Sequence, residues 1–269
     1  MTPQARRPRE VHGAVYVPGR KVTQVLVEMK NVPGALAKVA GLFGELGINI
    51  ISALILKAEP SKESGFWAFF LDLTDVDMEA EELAGRLEDL DVVLSVKITE
   101  RKFGEMLVDA TAFPISFLGR RVVVLDLDGI SAMLKWLDET FGTGGHAILF
   151  DMGYEGGRAV VRKLKEKYGL IGQEALEAFL SFCVAMGWFD YEIVEVDTDV
   201  PKLRMRIHDS FECNAFRGRA RQPTSHLVRG TISGAASEAF GEEMLAREVK
   251  CIALGDGYCE LVVEPSGKR

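Results

Sequence analysis

The sequence sets Glu248, Cys251 and Cys259 in the spacing Glu-x2-Cys-x7-Cys. Two thiolates and one carboxylate are a donor set that four-coordinate zinc accepts. A fourth donor is required, and Cys213 and His226 are the candidates. Gly255 lies midway between the two cysteines, so a hairpin there would bring their side chains together across its strands. Glu248 stands three residues before Cys251, on the opposite face of a regular strand unless a bulge or loop intervenes. With three or four protein donors and no evident open position or base, such a zinc would be structural. The competing reading treats all four cysteines as small buried hydrophobes, and Cys183, in an apolar helical stripe, reads as core.

Other chemistry is sparse. The four histidines (His12, His146, His208, His226) are scattered, and no nucleophile elbow, zinc-protease helix or paired catalytic motif stands out. Gly142-Thr143-Gly144-Gly145 lacks the setting of a dinucleotide or phosphate loop and reads as a breaker between helices. An apolar sensor pocket would need a few polar groups to orient its ligand. Trp188, at a helix end, and His146, after the glycine turn, are candidates for an aromatic wall and a hydrogen-bonding group. No catalytic residue is assigned, and a binding protein is favoured over an enzyme.

The 269 residues, 48% hydrophobic and 27% charged, suit one large globular domain or two modest ones. The net charge of −8 argues against nucleic acid as the main partner. No apolar stretch is long enough to span a membrane, and the arginines of the N-terminal arm are not followed by an apolar run, so a cytoplasmic, unexported chain is expected. In that compartment the cysteines read as thiols, for metal or packing. The seven Asn and Gln residues suit a thermophile. Residues 1–21, with Arg6, Arg7, Arg9, Arg20 and Lys21 against Glu10, read as a basic, solvated arm.

The elements that would position these residues fall into two modules. Over 22–102 the pattern is β-α-β-β-α-β: a strand from Val22, a helix with Leu36, Val39, Phe43 and Leu46 at helical spacing, strands over 48–59 and 65–73, a helix over 79–90 and a strand over 92–100. This is the ferredoxin-like, split-βαβ arrangement. Phe66, Trp67, Phe69 and Phe70 lie on both parities of one strand, so both sheet faces need cover, which a neighbouring subunit or the second module would supply; a homodimer is expected. The second module, 103–265 with a tail at 266–269, opens on a linker over 103–120 and a strand-like run, VVVLDL at 122–127, leading into a helix toward Phe141. Helices over 147–168 and 173–186, strands over 188–197 and 202–211, a helix over 224–240 and a final hairpin around Gly255-Asp256-Gly257 follow. The chain is thus α+β, a ferredoxin-like module followed by an α/β domain.

Asn31-Val32-Pro33-Gly34-Ala35-Leu36, followed by Gly47-Ile48-Asn49-Ile50, resembles the signature of the ACT domain, a small regulatory module that commonly binds amino acids. The resemblance covers about 22–101 and implies an effector site at the turn and helix start, Asn31, Pro33, Gly34, Ala35 and Leu36, with Asn49, at an interface between two such domains. A glycine there allows close backbone approach, and a helix N-terminus offers N–H groups to a carboxylate. The family usually has an acidic residue where this chain has Asn31, which removes an ionic partner for an effector's ammonium group.

Residues 103–265 resemble the 4-vinyl-reductase-like domain, related in fold to the small subunits of the transport-protein-particle vesicle tether. The resemblance rests on Phe113-Pro114, Gly119-Arg120-Arg121, Gly153-Tyr154-Glu155-Gly156-Gly157-Arg158, Gly187-Trp188, Asp209-Ser210-Phe211-Glu212-Cys213, Ser225-His226 with Gly230 and Gly234, and Glu248-x2-Cys251 with Gly255-Asp256 and Cys259. It implies a small-molecule sensor, with a structural zinc in members that sense aromatic compounds. The family usually places a cysteine where this chain has Ser225; Cys213 or His226 would then replace it. Together the two resemblances imply a regulatory protein binding an amino acid at one module and a small apolar or aromatic molecule at the other. The alternatives are a reductase of a vinyl-bearing substrate, for which no dinucleotide or flavin fingerprint is found, and a non-catalytic assembly or scaffold subunit.

Overall fold

The computed structural model describes residues 8, 10, 11, 13–57, 62–99, 102–109, 111–197 and 201–267. Arg6, Arg7 and Arg9 of the basic arm, His12, residues 58–61 of the first hairpin loop, Asp199-Val200 of the second and the last two residues of the tail lie outside the described residues. The chain divides into two compact units, 7–123 and 124–269.

In the first unit, β1 (Ala14–Tyr16) precedes β2 (Val22–Lys30), α1 (Ala35–Glu45), β3 (Asn49–Lys57), β4 (Ser64–Asp72), α2 (Ala80–Glu88) and β5 (Val93–Thr99). The four long strands form an antiparallel sheet in the order β3-β4-β2-β5, the ferredoxin-like topology. Alternation sends Val25, Val27 and Met29 of β2 and Trp67, Phe69 and Leu71 of β4 into one core with Val39, Phe43, Leu83 and Leu87 of the helices. The opposite parity is covered in part from within the unit. Short strands β6 (Lys102–Phe103) and β7 (Met106–Val108) form a small sheet with β1, and Leu107, Val15 and Val17 bury Phe70. Phe70 therefore needs no outside partner, while Phe66 is 37% exposed. The stretch expected as a plain linker thus contains strands, and it continues through the hairpin β8 (Ser116–Phe117) and β9 (Arg120–Arg121).

The second unit comprises α3 (Leu127–Phe141), α4 (Thr143–Tyr168), α5 (Gly172–Ala185), β10 (Asp190–Asp197), β11 (Lys202–His208), α6 (Phe211–Ala215), α7 (His226–Phe240), β12 (Met244–Lys250) and β13 (Cys259–Pro265). Its strands form an antiparallel sheet in the order β10-β11-β13-β12. Leu203, Met205 and Ile207 of β11 and Leu261 and Val263 of β13 pack with Leu176, Phe179 and Leu180 of α5 and Val228 and Ile232 of α7. Three local expectations are corrected. Val122–Asp126 forms no strand, because no neighbour pairs with it and Val123, Val124 and Leu125 are exposed; the helix begins at Leu127, capped by the Asp126 carboxylate. Gly142 alone breaks the chain, and Gly144 and Gly145 lie inside α4. The strand after 202 ends at His208, since Asp209 takes a positive φ of 53° and α6 follows.

Glycines set the spacing between α4 and α7. A Cβ at Gly153 or Gly157 would collide with the carbonyls of Leu227 or Thr231, and one at Gly230 or Gly234 with those of Phe150 or Tyr154. Such contact admits no side chain on either helix, and it fixes where the first turn of α7 stands.

Candidate metal centre

Three segments converge at one end of this sheet. β12 would send Glu248 to the face opposite Cys251, but the register against β13 slips between Glu248↔Leu261 and Lys250↔Glu260. Val249 is the extra residue of a β-bulge, and Cys251, still extended at φ −140° and ψ 127°, returns to the face of Glu248. A one-turn 3-10 helix at Ile252–Leu254 and Gly255, at φ 102°, then reverse the chain toward Cys259. The Asp256 carboxylate accepts from the Cys251 N–H at 2.9 Å and holds that turn closed. Cys213 comes from α6, whose N-cap Ser210 accepts from the Cys213 N–H at 3.4 Å.

One donor atom each from Cys213, Glu248, Cys251 and Cys259 lies within 4.8 Å of the other three. The Cys213 sulfur is 3.7 Å from that of Cys251, 3.4 Å from that of Cys259 and 3.8 Å from Glu248 Oε1. A tetrahedral zinc with bonds of about 2.3 Å to sulfur holds its sulfurs roughly 3.8 Å apart, so the donor set fits such an ion. All three cysteines are fully buried. His226, the other candidate for the fourth donor, is not in the cluster; its ring stacks on His146 instead.

Ser225, at the position where the sequence lacks the expected cysteine, joins the site through oxygen. Its hydroxyl donates to Glu248 Oε1 at 2.8 Å and lies 2.9 Å from the Cys213 sulfur, and its N–H donates to Glu248 Oε2 at 3.1 Å. Thr224 Oγ1 approaches the Cys251 sulfur at 3.7 Å, and the Ile252 N–H donates to Cys259 at 3.3 Å. Sequence reasoning missed Ser225 and Thr224, although a hydroxyl pair before a helix is itself a capping signal.

The electrostatics suit a cation. The sulfurs of Cys213 and Cys259 favour the thiolate at Cys251, pulling its pKa far below the thiol range. The same contacts disfavour a second thiolate: Cys251 beside it pushes Cys213 to about 12, and Cys213 and Cys251 raise Cys259. Burial, and then the Cys251 charge, raise Glu248 to about 7. A divalent ion would relieve that crowding, since its charge deprotonates coordinating thiols outright. Cys183 stands apart in the core, its thiol pushed by burial to about 12.

Next to Cys213, Glu212 is fully buried and accepts from the Leu227 and Val228 N–H groups at 2.8 Å each, capping the first turn of α7. Burial raises its pKa to about 8 against the pull of those bonds.

The remaining candidates are dispersed. Trp188 packs edge to face on Phe211 with ring centroids 5.4 Å apart. His146 lines a different place, a pocket beside Asp138, Phe216 and His226 whose lining does not include Trp188. In the first unit, Asn31-Val32-Pro33-Gly34 forms the turn into α1, with Gly34 at φ 86° and the Asn31 side-chain amide donating to the Lys62 carbonyl at 3.2 Å. Val32 and Leu36 are exposed there, whereas Ala35 is buried. Asn49 is not brought to this turn. It pairs with Asp72 at the far end of β4, eight residues from Ser64 beside the turn and so about 25 Å away.

With this geometry in place, the comparisons identify the two units. An ACT domain model matches residues 23–92, and the model of the 4-vinyl-reductase-like domain matches residues 203–265. The chain carries an N-terminal ACT domain and a C-terminal 4-vinyl-reductase-like domain. No curated protein matches the chain. Among solved structures, the phenol-responsive sensory domain of the transcription activator PoxR, determined with phenol, is 24% identical over 55% of this chain and 79% of its own, with a TM-score of 0.51. A vinyl-4-reductase family protein from Methanocaldococcus jannaschii is 17% identical over 54% of this chain and 83% of its own, with a TM-score of 0.38. Subunit 3 of a trafficking protein particle complex from Naegleria fowleri, covalently bound to palmitic acid, is 15% identical over 52% and 95%, with a TM-score of 0.40. No described helix is long and apolar enough to cross a membrane.

Proposed function

We propose that this chain is a regulatory ligand sensor of the cytoplasm. The ACT domain takes an amino acid at the Asn31–Leu36 turn, completed by a second copy in a homodimer. The C-terminal domain takes a small aromatic or apolar molecule, and a structural zinc on Cys213, Glu248, Cys251 and Cys259 ties α6 to the β12–β13 end of its sheet. The observation that carries this reading is the convergence of four donors from separate segments within 4.8 Å, aided by a bulge with no other evident purpose. Sensing is supported by the pairing of two domain types and by the fold shared with a domain that responds to phenol. When bound, zinc would supply a cross-link and charge neutralisation, with no coordination position left for a substrate.

Elemental analysis of the purified, dialysed protein and of the Cys251→Ser, Cys259→Ser variant tests the metal. The expected result is about one zinc per chain, lost in the variant; metal-free wild-type protein would refute the site. Calorimetric titration with the common amino acids tests the ACT domain, and an absence of heat and of thermal shift across the set would leave it a pairing module only.

A further inference from the structure

A second group of polar side chains lies near the start of α7, apart from the four metal donors. It lines a pocket of about 290 Å3 between α3, the first turn of α4 and the segment 216–224. His146 and His226 stack there with ring centroids 3.9 Å apart and planes 9° from parallel, and Phe216 joins the lining. His146 is engaged on both nitrogens, Nε2 at 2.6 Å from Asp138 Oδ1 and Nδ1 at 3.5 Å from the Gln222 amide nitrogen. His226 Nε2 is buried without any partner.

The charge of the pocket runs against that of the chain. Lys135, Arg219 and Arg221 line it, and their side chains make no ion pair or hydrogen bond with a described residue. The acids present are Asp138, already bound to His146, and the exposed Glu139. Unpaired guanidinium groups on a pocket wall match the planar, two-oxygen geometry of a carboxylate. Flat imidazole and phenyl rings favour a flat, aromatic body beside it. The volume sits at the lower end of small-molecule sites, enough for one substituted ring and too little for a nucleotide. A buried nitrogen with no partner is costly, and a ligand oxygen would relieve it.

We propose that this pocket binds a small aromatic carboxylate, its carboxylate held by Arg219 and Arg221 and its ring beside His146, His226 and Phe216. The assignment rests on the reading of the C-terminal unit as a small-molecule sensor and narrows its ligand class. The charge that defines the class is carried by residues outside the metal cluster.

Titration of the full chain, followed by calorimetry and ligand-observed NMR, uses benzoate, its neutral isostere benzamide, and phenol. Benzoate should bind one per chain and at least tenfold more tightly than benzamide. The Arg219→Gln, Arg221→Gln variant, altered only at exposed positions, should lose at least tenfold in benzoate affinity with zinc content and melting temperature unchanged. Equal affinity for benzoate and benzamide, benzoate affinity unchanged in the variant, or no benzoate binding would each overturn the assignment. If phenol still binds while benzoate does not, the sensor reading stands and this pocket's ligand class falls; if neither binds, both fall.

Discussion

The two candidate sites are built in opposite ways. The metal cluster of the C-terminal domain is closed: its three sulfurs are fully buried, its donors come from three segments of one chain, and each neighbouring hydrogen bond holds a donor in place. The ACT-domain turn is open, with Val32 51% and Leu36 39% exposed. A closed site can hold an ion permanently and contribute to stability, whereas an open one contributes half a surface and awaits a second component. The contrast separates a structural element from a sensing one within the same polypeptide.

Metal removal should break the comparison most sharply. Chelation is expected to lower the unfolding transition of the second unit by the equivalent of about 3–5 kcal/mol while leaving that of the first unit in place, as two-transition calorimetry would show. A common downward shift of both transitions would mean the units do not differ in this way. Next in size, Gly234→Ala should destabilise the second unit by about 3 kcal/mol, because the new methyl meets the Tyr154 carbonyl. Gly41→Ala in α1, with open space around it, should stabilise the first unit by up to about 1 kcal/mol; denaturant melts of both variants decide.

Ser225→Ala removes the hydroxyl that orients Glu248 and should weaken zinc about tenfold, or about 1.4 kcal/mol, in competition with a chromophoric chelator. An unchanged affinity would show that the hydroxyl is only a helix cap. At the open site, Asn31→Asp should tighten amino-acid binding by about 1 kcal/mol by adding an ionic partner, offset in part by the lost bond to the Lys62 carbonyl. Looser binding would place the effector's ammonium group elsewhere.

The smallest effect concerns pH. Burial, and then His146 beside it, hold His226 at about 4, below its usual 6.5. Between those values the unfolded chain binds a proton that the folded chain does not, so stability from this group is present above pH 6.5 and is lost as pH falls toward 4. His226→Gln should flatten that slope in melts taken between about pH 4 and 7; an unaltered slope would show that His226 titrates normally.

Much of this was legible in the residues. Strict alternation in VTQVLVEMK and the helical stripe of Leu36, Val39 and Phe43 specify the ferredoxin-like unit, because each long strand has one face on the helices. Glu248, Cys251 and Cys259 were visible by type and spacing. Their shared face was not, since it depends on Val249 bulging out, which no periodicity records. Cys213 could be named as a donor but not placed, because α6 is five residues long and gives no repeat to read. VVVLDL misled for the opposite reason: strong β propensity without a strand to pair with produces no strand. The polar pocket draws on α3, α4 and the segment before α7, and only tertiary packing brings those together.

The adjacency of Glu212 and Cys213 on α6 carries a last consequence. One residue caps the first turn of α7 and the next is a metal donor, so an ion that holds the sulfur also holds the carboxylate against the Leu227 and Val228 amides. Those two protons touch no donor atom of the cluster. Their exchange with solvent nonetheless reports its occupancy, a gauge of metal content written into the backbone at the rim of the neighbouring pocket.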